Sequence, residues 1–239
     1  GFEEEILGIN DRVELSKAEE LIRRRINEKL MLSGVTIVDP SQAFISPQVS
    51  IGKDTVIYPQ SFISGKTSIG ERCKVGPSVW IDDSEISDDS SIRFSSYVEK
   101  AAIGSNVTIG PFAHLRPGSE VMDGAKIGNF VEVKKSRVGM LSKVQHLSYL
   151  GDATVGDRVN IGAGTITCNY DGLQKNKTVI EDDVFIGSDT MLVAPVKIGR
   201  GATTGAGSTI TKDVEPESLA IGRAKQMTIK NWKRKPKQK

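Results

Sequence analysis

The sequence predicts an all-β fold. It reads as a left-handed parallel β-helix of hexapeptide repeats, about nine coils long, with an N-terminal α-helix and an extended C-terminal tail. Three observations predict it. First, Ile45, Ile51, Ile57, Ile63, Ile69, Val75 and Ile81 fall at steps of six, and further runs extend from Ile86 to Val133 and from Ile180 to Ile210. A period of six is neither a helix period nor strand alternation. It describes a coil with three flat faces, each one hexapeptide long, whose stacked copies pair as parallel strands about 4.8 Å apart. Second, Gly commonly follows the aliphatic residue, as at Gly52, Gly70, Gly128, Gly162 and Gly187, and is expected where the backbone turns and a side chain would clash. Third, 24 glycines stand against 5% aromatic residues in 239 positions. That balance suits a narrow aliphatic-filled prism better than a globule built around large rings.

The elements follow in order. Gly1-Phe2-Glu3-Glu4-Glu5 opens without Met or a strand signal and reads as the continuation of a longer chain. Ser16-Lys17-Ala18-Glu19 matches a capping box. Leu21, Ile22, Ile26 and Leu30 then keep helical spacing up to Gly34. Residues 1–34 are thus a connecting segment and helix, expected to cover the open edge of the first coil. The coil occupies 35–215, with small or β-branched residues such as Thr55, Ala113 and Thr165 four places after the aliphatic. Steps of five, as from Val133 to Val138, tighten a corner. From Thr167 to Ile180 the step is 13, so a loop at 168–179 must leave the coil, and insertions in solenoids often serve binding. Residues 216–239 form a C-terminal segment and basic tail, with an extended strand or short helix expected over Leu219–Met227.

Composition excludes several classes. Hydrophobic residues at 38% and a net charge of +2 exclude disorder. Two cysteines, Cys73 and Cys168, make neither a disulfide framework nor a zinc site, so a reducing cytoplasm is the expected location. No stretch approaches a membrane span and no signal peptide opens the chain. The tail from Lys225 to Lys239 holds seven Lys/Arg and no acid, leaving 25 basic against 30 acidic residues before it. With Trp232 its single aromatic residue, and so no stacking set interleaved for bases, it reads as a solvated or subunit-packing terminus, with no nucleic acid or membrane partner.

Two histidines are too few for a three-His zinc enzyme, and no metal is expected. The Gly-Ala-Gly-Thr at 162–165 and Gly-Ala-Gly-Ser at 205–208 sit in hexad register and lack the Gly-Lys-[Ser/Thr] ending of a phosphate loop. His146 stands two places after an inward aliphatic, among polar residues. Glu132 lies 14 residues before it, close to a 17-residue coil. The pair is expected on adjacent rungs near one corner, the carboxylate orienting an imidazole base. Arg116, Lys134 and Lys175 could form a cationic pocket for an anionic substrate, with Asn160 and the Asn169–Tyr170 loop nearby. A solvated polar face fits the same residues equally well. Cys168 reads as a hinge residue, Cys73 as core, and His114 as a surface or rim residue.

Several segments then carry a resemblance. They are Gly110-Pro-Phe-Ala-His-Leu-Arg-Pro-Gly118, Gly128-Asn-Phe-Val-Glu-Val-Lys-Lys-Ser136, His146-Leu-Ser-Tyr-Leu-Gly-Asp-Ala153, Val159-Asn-Ile-Gly-Ala-Gly-Thr-Ile-Thr-Cys-Asn-Tyr-Asp-Gly172 and Phe185-Ile-Gly-Ser-Asp189. Nearly the whole chain resembles the C-terminal half of the bacterial bifunctional N-acetylglucosamine-1-phosphate uridyltransferase / glucosamine-1-phosphate acetyltransferase family. The resemblance implies acetyl transfer from acetyl-CoA to the amine of glucosamine 1-phosphate, on the route to UDP-N-acetylglucosamine. It implies His146 as base with Glu132 orienting it, and the Ala163 N–H as oxyanion donor. Arg116, Lys134, Tyr149, Asn160 and Lys175 match sugar or phosphate contacts. Asn169, Tyr170, Ser188, Ala206 and Arg223 match acetyl-CoA contacts, the first two alternatively sugar contacts. A homotrimer with sites between subunits is implied. Acetyl-CoA is a co-substrate and no cofactor is held permanently. Magnesium belongs to the uridyltransferase half, whose Gly-rich loop this sequence lacks. Met140, Leu141, Glu181 and Thr204 depart from the family pattern at packing positions. Other readings are a hexapeptide acyltransferase for another amino sugar and a non-catalytic trimeric scaffold that binds a sugar phosphate.

Overall fold

The computed structural model describes residues 8–233. The opening Gly1–Glu5 and the tail residues Arg234, Lys235, Lys237 and Lys239 lie outside the described residues. Helix α1 (Arg12–Leu32) precedes thirty short strands. The strands wind into three parallel sheets of 11, 10 and 9 strands, each the face of a triangular prism. Face 1 begins at Thr36–Ile37, face 2 at Ala43–Ile45 and face 3 at Ser50–Ile51, and strands pair with the one three ahead in the chain, except that Thr203–Thr204 pairs with Leu219–Ala220 two ahead. This is the left-handed parallel β-helix of hexapeptide repeats, with about ten turns. The extra turn comes from Thr36–Ile37 at one end and Leu219–Ala220 at the other, both outside the strict hexad run.

The helix begins well before Ser16. Asp11 is its N-cap and accepts from the Glu14 N–H at 2.8 Å, while the Glu14 carboxylate accepts from the Asn10 N–H at 2.6 Å. This reciprocal pair satisfies the first-turn donors earlier than Ser16-Lys17-Ala18-Glu19 would, so those residues lie inside the helix. The helix buries little except Leu30 and Asn27. Asn27 is fully buried, and its Nδ2 donates to the carbonyls of Pro40 (2.9 Å) and Ala43 (3.0 Å) at the first turn of the prism. A polar clamp thus covers the open edge. Asn27→Leu should lower stability by about 2 kcal/mol or more, because it strands buried acceptors. Urea unfolding checks this; an unchanged midpoint would mean that the helix docks through Leu30 alone.

One aliphatic side chain per face and turn points inward, so each face carries a continuous stack. On face 1 it runs Ile92, Ile109, Ile127, Val144, Ile161, Ile186, all in register and buried. Thr204 ends that stack without leaving a buried hydroxyl unpaired. Its Oγ1 accepts from the Gly187 N–H at 3.0 Å and lies 3.2 Å from the Thr190 hydroxyl.

The glycines after the aliphatics have a different reason from the one expected. The left-handed φ values of these corners fall two residues later and mostly on non-Gly side chains, among them Gln60, Phe112, Phe130 and Leu147. Gly162 is needed for close approach: a Cβ there would sit 2.6 Å from the Gly187 carbonyl carbon and 2.7 Å from the Ile186 oxygen on the next turn. Other corners are tied by carboxylates. Asp123, Asp157 and Asp182 accept from the backbone N–H groups of Ser105, Met140 and Asp157 one turn back, at 2.7–2.9 Å. Glu181 accepts from the Arg200 backbone N–H one turn ahead at 2.8 Å and pairs with Lys197 at 2.7 Å. These contacts hold its carboxyl below the usual range, Lys197 first. Met140 and Leu141 are exposed, and Leu141 takes a left-handed φ of 58°.

The few aromatic rings lie outside the prism. On face 2 one outward column reads Phe44, Phe62, Trp80, Tyr97, His114, Glu132, Tyr149. Phe44 stacks on Phe62 (4.7 Å), Phe62 on Trp80 (5.1 Å) and Tyr97 on His114 (4.9 Å). The ladder of rings ends where charged residues begin, at Glu132.

Candidate active site

The corner between faces 1 and 2 lies two residues beyond each inward aliphatic of face 1. In successive turns it is occupied by Pro59, Pro77, Phe94, Pro111, Asn129, His146, Ala163, Ser188 and Ala206. Proline recurs in the early turns because the corner amide points away from the sheet and needs no acceptor. From Asn129 onward every corner residue has an N–H. Among the described residues no group accepts from that of Ala163. His146, Ala163, Ser188 and Ala206 therefore form one strip, spanning three rung spacings or about 14 Å. Arg223 lies at its far end, with Nη1 donating to the Ala206 carbonyl at 2.5 Å.

A second cluster stands on face 2. Arg116 Nη1 meets Glu132 Oε1 at 2.9 Å, and the pairing holds the guanidinium above its ordinary pKa. Glu132 pairs in register with Tyr149, and Lys134 with Gly151. Lys134 also touches Lys175, and this contact, with Arg116 behind it and Asp152 opposing, pushes its ammonium below the ordinary value. Three cations converge there with two carboxylates, Glu132 and Asp152, beside them, which leaves a net positive charge. Such an excess of positive charge is relieved by a bound dianion.

The long insertion feeds this cluster. Residues 169–177 leave the coil as a small hairpin, with Tyr170 bridging Lys175 in antiparallel fashion. Asp171 folds its tip by accepting from the Leu173 and Gln174 N–H groups and from Asn176 Nδ2 at 2.7–2.8 Å. The Gln174 N–H is the largest cause of its lowered pKa. At the base, buried Asn169 donates Nδ2 to Asp152 Oδ2 at 2.6 Å.

The sequence-predicted residues thus fall into two groups. Arg116, Glu132, Lys134, Tyr149 and Lys175 meet on face 2, with Asn169 and Tyr170 beside them in the loop. Asn169 and Tyr170 do not join Ser188, Ala206 and Arg223 on the strip. Asn160 is half-buried on face 1, three residues before Ala163 on the same rung.

One expected contact is corrected. Within one chain Glu132 does not meet His146, because a turn here takes 17 residues and an offset of 14 falls round the corner onto face 2. The residue one turn below His146 is Asn129, paired with it in register, and its Oδ1 lies 2.7 Å from Nδ1 of the ring. Asn129 is the neighbour of His146 that motif reading missed, although counting back 17 positions would have found it. Gly151 is another. It interrupts the outward column of Glu99, Arg116 and Lys134, and a Cβ there would collide with the ring of Tyr149 and with Asn169.

Other candidates are spectators. Burial pushes the Cys168 thiol up, against a nucleophilic thiolate. Cys73 is buried in the core. His114 is half-buried against Tyr97, with Nε2 3.7 Å from Glu99. No described helix is long and apolar enough to cross a membrane.

Comparison with known proteins follows this geometry. The profile of the GMPPB C-terminal domain matches residues 43–119, and that of the bacterial transferase hexapeptide (six repeats) matches 177–212. The bifunctional protein GlmU of Thermosipho africanus is 57% identical over 229 residues, covering 96% of this chain and 51% of the relative. That of Carboxydothermus hydrogenoformans is 54% identical over 230 residues, with the same 96% and 51% coverage. The chain spans about half the length of the curated relatives it matches. A solved UDP-N-acetylglucosamine acyltransferase from Francisella novicida aligns at 16% identity over 78% of this chain and 67% of that one, with a TM-score of 0.49.

Proposed function

Because the chain corresponds over nearly all its length to the C-terminal half of the GlmU proteins, we propose that it is an acetyltransferase moving the acetyl group of acetyl-CoA onto the 2-amino group of glucosamine 1-phosphate. The observation that carries the reading is the strip itself. An imidazole, His146, sits one rung below an N–H without an acceptor, that of Ala163.

The amine attacks the thioester carbonyl carbon while Nε2 of His146 takes its proton. The oxygen of the tetrahedral intermediate accepts from the Ala163 N–H, a contact worth roughly 3 kcal/mol where it strengthens only in the transition state. Collapse breaks the carbon–sulfur bond, and the imidazolium returns the proton to the departing thiolate. No metal enters these steps. The rungs at Ser188 and Ala206, with Arg223, suit the extended arm of the donor. Arg116, Lys134 and Lys175 suit the phosphate of the acceptor, and Tyr149 and Asn160 its sugar.

The phosphate cluster stands on face 2, and the donor strip runs along the edge of face 1. That division supports a homotrimer in which the face 2 cluster of one copy completes the strip of the next.

The experiment is thiol release from acetyl-CoA. Coenzyme A should appear on addition of glucosamine 1-phosphate, and not with glucosamine or without an acceptor. No release with any amino sugar would leave a sugar-phosphate-binding scaffold instead. Release only with a different amino sugar would overturn the acceptor.

A further inference from the structure

The geometry points to Asn129 as the residue that positions His146, fixing which ring nitrogen is free to act. The inference rests on the reading of His146 as the base and adds a residue to it.

The pairing is built into the backbone. Most face 1 strands span two residues, whereas Lys126–Asn129 and Lys143–His146 each span four and stay paired to the corner. Gly128 permits this, since a Cβ there would run into the Gln145 carbonyl. The Asn129 carbonyl accepts from the Leu147 N–H at 3.1 Å. The His146 carbonyl accepts from the Ser148 hydroxyl at 2.8 Å and from the Gly164 N–H at 3.3 Å. Both main chains are therefore held before the side chains meet, so the 2.7 Å contact between Oδ1 and Nδ1 costs little additional ordering.

A carbonyl oxygen can only accept, so Nδ1 carries the proton and Nε2 keeps its lone pair. Nδ1 is committed to the neighbouring turn, which leaves Nε2 for substrate. Asn129 differs from a carboxylate in one useful respect. It sets the tautomer without adding a negative charge that would hold the imidazole protonated. Among the described residues of the same chain no other titratable group occupies this corner; in the proposed trimer, Arg116, Glu132, Lys134 and Lys175 of a second copy would face it. The residue below is Asn129 and the residue above is Ala163. Lys126 and Lys143 begin the two paired strands, three residues before the corner. Arg158 is occupied with Asp183, and Glu132 is occupied with Arg116 round the corner.

Asn129→Leu and Asn129→Asp test the inference in the full chain, beside His146→Ala. Asn129→Leu should lower kcat roughly 10- to 100-fold, because the ring loses its preferred tautomer and orientation, with the KM of both substrates within about 2-fold. The nearly isosteric Asn129→Asp should move the acidic limb of the pH–kcat profile up by about 1 unit, because a carboxylate stabilises the imidazolium. Nitrogen-15 spectra of His146 should show Nδ1 protonated in the parent and a shift toward Nε2–H in Asn129→Leu. An unchanged kcat in Asn129→Leu, an unmoved limb in Asn129→Asp, or an unchanged tautomer in a folded Asn129→Leu would each overturn the proposal. Full activity in His146→Ala would sink the base assignment instead, and the spectra would then decide the pairing independently.

Discussion

His146→Ala should reduce acetyl transfer roughly 10²- to 10⁴-fold, the range over which a positioned general base contributes. Among the described residues of the same chain no other base stands beside the strip. Asn129 and Ala163 flank it on the strip, and Glu132, the nearest carboxylate predicted to act with it, is engaged by Arg116 on another face. The variant should fold normally, because the imidazole is exposed and makes one side-chain contact. Exposed substitutions of this kind usually change stability by less than about 0.5 kcal/mol. Steady-state thiol release beside a thermal melt checks both statements. A folded variant with parental kcat would remove His146 from the chemistry.

Gly151→Ala should weaken acceptor binding by roughly 10-fold or more in KM. The added methyl would lie 2.6 Å from Tyr149 Cζ and 2.7 Å from Asn169 Nδ2, closer than real atoms approach. The backbone cannot move aside, because the Gly151 N–H donates to the buried Thr167 hydroxyl at 2.7 Å and the strand pairs with Lys134. The side chains must yield. Tyr149 leaves its place over the cation cluster, and Asn169 loses Asp152, the anchor of the 169–177 hairpin that carries Lys175. Losing one or two hydrogen bonds to a charged ligand, at about 1.5–3 kcal/mol each, gives a change of this size. The KM for acetyl-CoA should hold, since Ser188 and Ala206 lie on the other group. Equal increases in both KM values would show a general collapse of the wall rather than a local loss.

The fold was legible because one physical demand repeats at every turn: a single inward aliphatic per face, as from Ile92 to Ile186. The insertion after Thr167 was legible as a break in that demand. The start of α1 was not, because Asp11 and Glu14 satisfy the same capping logic as Ser16 and Glu19, and spacing alone does not rank them. An offset of 14 residues places Glu132 close to one turn from His146 in sequence but not in space. Register is unforgiving here, since three residues carry the chain round a corner and onto another face. The cations at 116, 134 and 175 were easier to group. Arg116 and Lys134 stack on neighbouring rungs of face 2, and the insertion returns Lys175 beside them. Gly151 could not be valued from sequence, because its contribution is the space it leaves.

The corner strip has one consequence for how such a protein can change. Positions along the prism axis come in fixed increments of one rung, about 4.8 Å, each taking 17 or 18 residues of chain from His146 to Ala206 apart from the 25 of the turn that carries the hairpin. The offset between His146 and the far grip at Ala206 and Arg223 is therefore a digital quantity. Point substitutions can alter what a rung presents, but only the gain or loss of a whole turn can alter the reach. The molecule is a ruler, and its length can be edited only one graduation at a time.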